Sequence, residues 1–404
     1  MTLNRLVEQP QFFARLAALP GLRGGAEQHF QGGDRLVHAP GSTTWSPTAQ
    51  GDALDRQRPP FQKSGMTAPT PALPADWLAH RYDPGHDAVH FIRADRALRR
   101  TVPFLTDENL PGAAEPLVVR REDALASAGA DRTGARIGFV FHSAYCCSTL
   151  VANAYDRDGS AFSLKEPLLL NDLVGWRHRG GAPDRVGRVL ADGLRLLARP
   201  FRRGETCVIK PSNVVNGLAP AMMAARPEAG ALLLHAPLPQ FLGSIANKGL
   251  WGRLWVRDLL SKQLLDGMVD LGFEAKDHLL QSDLQVAAVG WLAQHALFAR
   301  MARAWPDRVR TLNSDVLLAR PLDALTALDR LLGVDAGDVD RTRVIETVFS
   351  RNAKSGDAFT AADRRADQRG AAEAHADEIE KVAAWARVVA ERAELPDELP
   401  APLI

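Results

Sequence analysis

Short apolar runs punctuate the middle of this chain, and stretches of helical spacing separate them. The runs are 137–141, 162–165, 207–210, 231–235 and 309–312. Each is dense in β-branched, aromatic or leucine side chains, which is how a strand buried on both faces reads. Apolar positions recur with helical period over 185–197, 238–248, 254–271, 279–304, 322–332 and 372–393. Strand alternating with helix predicts an α/β fold: three layers around a mainly parallel sheet with right-handed crossovers, ending in a helical C-terminal part.

The N-terminal pattern differs. A short helix is expected between Leu6 and Leu19, and then Gly-Gly pairs, Gln, Ser, Thr and Pro follow with few apolar anchors. Residues 1–65 are expected to be a disordered extension, with Met66 an alternative start. Residues 66–136 have scattered apolar positions, a strand-like 88–91 and a short helix from Ala124. They are expected to form a cap beside a core spanning 137–395.

Composition narrows the class. An apolar fraction of 46% suffices for a large core, and a net charge of +1 gives no nucleic-acid or anionic-membrane footprint. No apolar run is long enough to span a membrane. Three cysteines, Cys146, Cys147 and Cys207, make neither a disulfide framework nor a structural zinc site. With no leader pattern visible, the cytoplasm is the expected compartment. Oligomeric state is not readable.

Candidate chemistry begins where the first strand ends. His142, Ser143, Ala144, Tyr145, Cys146 and Cys147 form a loop, and Ser148 and Thr149 open a helix carrying Leu150, Val151, Ala154 and Tyr155 on one face, with Gly159 expected as its stop. Amides at a first helical turn point back at such a loop, an arrangement suited to phosphate or sulfate. The nucleotide-kinase form of this site needs glycines and a lysine before the Ser/Thr, and both are missing. Ser-Thr here also reads as an ordinary N-cap.

The other strands end in polar side chains: Lys165-Glu166-Pro167, Lys210-Pro211 and His235-Ala236-Pro237. The proline is expected to hold Glu166 extended at the strand tip. In open parallel sheets ligands sit outside the carboxyl ends of the strands, so these residues should share one rim with the loop. A kinase would place a metal-binding carboxylate after a later strand, where this chain has His235.

Phe141 to Leu150, Leu164-Lys165-Glu166-Pro167, Val208 to Asn213, His235-Ala236-Pro237-Leu238, Phe241 to Ile245 and Arg308 to Leu317 follow one another in an order that resembles the P-loop-like sulfotransferases of bacteria. The resemblance covers roughly residues 76–394. It implies sulfuryl transfer from 3′-phosphoadenosine 5′-phosphosulfate to a hydroxyl or amine, without metal. It also implies that Tyr145, Cys146, Cys147, Ser148 and Thr149 hold the 5′-phosphosulfate and that Ser244 meets the 3′-phosphate. His235 stands where the family has an arginine. Lys248, one turn beyond Ser244, and the late segment with Arg351 and Lys354 could supply cations. Where the family's loop has a basic residue and a glycine, this chain has Tyr145 and Cys147, so Lys165, Lys210 or His142 would have to replace the loop cation.

Each role stands beside a plainer one. Glu166 is the expected general base, or else a structural partner of Lys165 or an arginine. His235 is the second candidate base, or a turn cap. Lys210 would stabilise the leaving phosphate, or be a solvated surface lysine. Cys146 and Cys147 read better as packing residues than as nucleophiles, and Trp251, Trp255 and Trp291 as core. A nucleotide-binding member without catalysis and, less favoured, a P-loop small-molecule kinase remain alternatives.

Overall fold

The computed structural model describes residues 73–110, 115–128, 135–351, 353 and 375–404. The expected helix within 6–19, the extension 1–65 and Lys354 lie outside them.

The described chain opens with β1 (Trp77–Asp83), β2 (Ala88–Arg93), α1 (Arg96–Thr101), β3 (Leu117–Arg120) and α2 (Arg121–Ser127). β1, β2 and β3 form an antiparallel sheet in that order. Leu78, Phe91 and Val119 from it share one buried cluster with Ile137, Phe139 and Phe141 of the next strand.

The larger sheet comes from β4 (Ile137–His142), β5 (Ala161–Lys165), β6 (Thr206–Lys210), β7 (Gly230–His235) and β8 (Val309–Asn313). Its order is β5-β6-β4-β7-β8, and every neighbouring pair is parallel. All five apolar runs are therefore strands. β4 is the first of them in sequence and lies in the centre, with the chain leaving to either side of it. That is the point where open sheets of this kind form a crevice at their carboxyl edge.

α3 (Ser148–Ala154) links β4 to β5, α4 (Leu168–His178) and α5 (Pro183–Leu197) link β5 to β6, and α6 (Ala219–Ala225) leads into β7. After β7 come α7 (Leu238–Asn247), α8 (Gly249–Leu265), α9 (Asp277–Leu280) and α10 (Asp283–Ala304). α11 (Ser314–Ala319), α12 (Pro321–Leu332), α13 (Asp338–Val348) and α14 (Ala376–Arg392) follow β8. Strand alternation sorts the two faces. Phe139, Ile209 and Leu233 meet α4, α5 and α10, whereas Val140, Val208 and Leu234 meet α3 and α12. α12 lies hard against the sheet because Gly230 has no side chain: a Cβ there would stand 2.0 Å from the Leu331 carbonyl oxygen.

Several local expectations change. α3 stops at Ala154 with Tyr155 as its cap, and Gly159, at φ 83°, serves the following tight turn instead. α10 starts at Asp283 because Ser282 and Gln285 form a reciprocal capping box. α8 covers Gly249–Leu265 rather than 254–271, with Lys248 at the corner before it. Trp291 is buried and Trp255 half-buried, but Trp251 is 61% exposed, so it is not a core residue.

Candidate functional site

The loop after β4 is bent without a single glycine. Ala144, Tyr145 and Cys147 adopt left-handed φ values of 72°, 51° and 66°, a conformation costing roughly 1–2 kcal/mol per L-residue. His142 fixes the bend. Its Nδ1 accepts from the Ala144 amide at 3.1 Å, and its Nε2 lies 3.0 Å from the Pro211 carbonyl oxygen. An amide can only donate and a carbonyl can only accept, so the ring is neutral with its proton on Nε2. His142 thus positions the loop and is no replacement for the missing cation. The loop is also tied to β7. The Ser143 amide donates to the Leu234 oxygen at 3.1 Å, the Ala236 amide to Ser143 Oγ at 3.3 Å, and the Cys146 thiol to the Leu234 oxygen at 3.4 Å.

Burial pushes the Cys146 thiol up to about 12, so it is a packing residue and not a thiolate at neutral pH. Cys147 caps α3 with its backbone alone, and no side chain caps the helix. Ser148 is thus the first helical residue and not the N-cap. Among the described residues, the amides of Cys146, Ser148, Thr149 and Leu150 have no hydrogen-bond acceptor; the first bond of the helix runs from Val151 to the Cys147 carbonyl, at 3.2 Å.

Beside these amides stand two lysines. Lys165 and Lys210 pair in register at the tips of β5 and β6, on the α3 side of the sheet, and both are buried. Lys165 Nζ donates to Asn153 Oδ1 of α3 at 3.1 Å and to the Arg100 carbonyl at 3.0 Å. Burial lowers it to about 8, with the Lys210 and Arg100 charges pushing the same way against Asp156. Lys210 is ion-paired with Glu166 and lies 5.1 Å from the centre of the Phe104 ring. It is a buried, paired cation and not a solvated surface lysine. Glu166 therefore pairs with Lys210 rather than with Lys165 or an arginine.

Glu166 is also not extended. Its φ of 57° is left-handed, and its amide donates to the Lys210 carbonyl at 2.7 Å while Pro167 starts α4. The bond to the neighbouring strand overrides the local preference that proline imposes.

His235 lies apart. It ends β7 on the opposite face, its ring edge-on to His295 of α10 at 5.0 Å between centroids. His295 stacks on Trp291 at 3.8 Å, and Trp291 Nε1 donates to the Ala236 carbonyl at 3.0 Å. Burial lowers His235 to about 4, so at neutral pH it cannot stand in for the arginine it replaces. β5 and β7 are three strand spacings apart, on the order of 14 Å. Glu166 and His235 consequently cannot serve the same proton. His295 had no sequence signal: a single histidine on an apolar helix looks like core, and its pairing exists only in space.

Ser244 Oγ donates to the Gln240 carbonyl one turn back at 2.9 Å. Lys248 is exposed at the α7–α8 corner, not on the α7 face with Ser244, and its ammonium lies 6.0 Å from the Tyr145 ring centre. Tyr145 packs edge-on against Trp255 at 5.6 Å. Arg351 is exposed, and just after it the Ala353 carbonyl accepts from Asn153 Nδ2 at 3.1 Å, so the late segment reaches α3. The structure therefore gathers the loop, Lys165, Lys210 and Glu166 on one side of β4, with Lys248 reaching the loop from α7. Ser244 turns to its own helix and His235 to the other face.

No protein-family model matches the chain, and no curated protein does. Among solved structures it is similar to the "Sulfotransferase Domain from the Synechococcus PCC 7002 Olefin Synthase", with 15% identity and a TM-score of 0.37 over 61% of this chain and 96% of that one. A likeness this slight assigns neither fold nor activity.

Proposed function

We propose that the protein transfers a sulfuryl group from 3′-phosphoadenosine 5′-phosphosulfate to a hydroxyl or amine acceptor. The observation that carries this reading is the pair of buried lysines, Lys165 and Lys210, beside a loop whose amides lack acceptors. Buried cations and unpaired donors on one side of a sheet suit a multiply charged anion. The amides of Cys146, Ser148 and Thr149 would receive the phosphosulfate, with Tyr145 and Cys147 shaping the turn. Lys210, already desolvated, would stabilise charge developing on the bridging oxygen. Glu166, beside Lys210 and partly open to solvent, would take the acceptor proton as the oxygen or nitrogen attacks sulfur. The S–O bond to the nucleotide breaks in the same step, leaving adenosine 3′,5′-bisphosphate. Ser244, Lys248, Arg351 and Lys354 would hold the 3′-phosphate end.

A second reading is a nucleotide-binding protein without turnover. The complete burial of Ser143 and Cys146 and the closed Lys210–Glu166 pair favour it. A thermal-shift titration of the full chain with adenosine 3′,5′-bisphosphate, without added metal, tests the common part: a saturable rise in melting temperature is expected, and no rise at millimolar nucleotide overturns both readings. Release of the bisphosphate from the sulfated donor on addition of a panel of phenols, alcohols and amines then separates them. Stimulation by magnesium-ATP would point to a kinase instead.

A further inference from the structure

α8 is apolar on the side that faces no protein. Its inner face packs through Val256, Leu259 and Leu260, as a surface helix should. Its outer face ought to be polar, yet Leu250 is 71% exposed, Trp251 61%, Leu254 57%, Leu264 42% and Leu265 66%. At 100° per residue these five fall within one stripe running the whole helix, interrupted only by Asp258 and Ser261. Stripes of this length on a water-soluble surface mark a contact.

The order of residues along the stripe selects the occupant. We infer that α8 pairs with α8 of a second copy of this chain, antiparallel, about a two-fold axis passing between Arg257 and Asp258. In that register Leu250 meets Leu265 of the other copy, Trp251 meets Leu264, Leu254 meets Ser261 and Asp258 meets Arg257. The apolar ends thus cover one another, and the central charges face opposite charges. A two-fold interface requires this self-complementarity, and a bilayer or an unrelated partner does not. Antiparallel helices crossing at a shallow angle keep contact over several turns, so the full stripe is covered. The stripe forms the apolar centre of an interface, whose rim completes the roughly 800 Å² per partner of a standard one. The pairing also borders the loop: Lys248 lies 5.8 Å from the Trp251 ring centre and 6.0 Å from that of Tyr145.

Light scattering coupled to size exclusion tests this on the full chain at tens of micromolar. The wild type is expected to run as a dimer, and Leu254→Glu, an exposed position, as a monomer with unchanged circular dichroism. Leu250→Lys and Leu265→Glu should each weaken the dimer, and the double variant should restore it. The two positions lie fifteen residues, about 22 Å, apart on one helix and so cannot pair within a chain. A monomeric wild type, with or without binding to phospholipid vesicles, overturns the inference. So does a dimer that survives Leu254→Glu, or a double variant no better than the singles.

Discussion

Lys165 and Lys210 stand opposite each other in register across β5 and β6, both buried on the side of the sheet that carries α3. Two desolvated ammonium groups on adjacent strands repel each other, and only Lys210 has a carboxylate partner. An anion arriving beside them relieves that repulsion, so the pair is poised for a ligand rather than for stability.

That arrangement sets a pH dependence. Lys165 is lowered to about 8, below its ordinary value of 10.5, so it loses its proton in the folded protein first. Affinity for adenosine 3′,5′-bisphosphate is expected to fall as pH rises through about 8, because the ammonium it would meet disappears. Between about 8 and 10.5 the unfolded chain holds the proton and the folded chain does not, so this group makes stability rise with pH there. Isothermal titration at pH 7 and pH 9 checks the first effect. Lys165→Arg should flatten it, and an unchanged slope would remove Lys165 from the anion site.

Glu166 and Ser244 separate chemistry from binding. Glu166→Gln keeps a hydrogen-bonding group beside Lys210 and should lower turnover by roughly 10²–10⁴ while leaving bisphosphate affinity nearly intact. Ser244→Ala should instead weaken the bisphosphate by roughly 1–3 kcal/mol and leave turnover at saturation unchanged. The hydroxyl must first turn away from the Gln240 carbonyl. Rates against donor concentration for both variants distinguish the two roles, and equal effects on both parameters would refute the assignment.

The central sheet was legible in the sequence, while much of the rim was not. Ile137 to Phe141 and Leu232 to Leu234 are buried on both faces, so unbroken apolar character gives them away. β1 and β3 went unread because His80 and Arg81 interrupt one and the other is four residues long. α4 follows Pro167 directly and hides behind a strand-like Leu-Leu-Leu. Trp251 was misjudged because spacing shows that a helix is apolar but not which side meets protein. The neutral state of His142 and the His235–His295 pair depend on partners far away in sequence, which no local pattern contains.

Acid should destabilise the fold through that pair. His235 is lowered to about 4 and His295 to about 3, both mainly by burial, against an ordinary 6.5. As pH falls below 6.5 the unfolded chain takes up protons that the folded chain refuses, so stability drops until about pH 4 for His235 and about pH 3 for His295. A tenfold weakening of proton binding on folding corresponds to about 1.4 kcal/mol, so a few kcal/mol are at stake. Urea unfolding at pH 7 and pH 4.5 measures it. His295→Phe, which keeps a ring against Trp291, should lessen the loss, and an identical pH dependence would show that the buried pair does not drive it.

Gly230 supplies the sharpest packing test. The Leu331 carbonyl oxygen occupies the place where a side chain would begin, 2.0 Å from an ideal Cβ. The obstacle is backbone, so a rotamer change cannot relieve it, and α12 would have to lift from the sheet. Overpacking of this kind costs roughly 1–3 kcal/mol, and more where backbone must move. Gly230→Ala is therefore expected to lower stability by about 3 kcal/mol, whereas Gly187→Ala, whose Cβ would meet nothing within 4 Å on α5, should be neutral or slightly stabilising. Chemical denaturation of the two variants side by side makes the comparison, and equal stabilities would mean that α12 does not rest on β7 as closely as described.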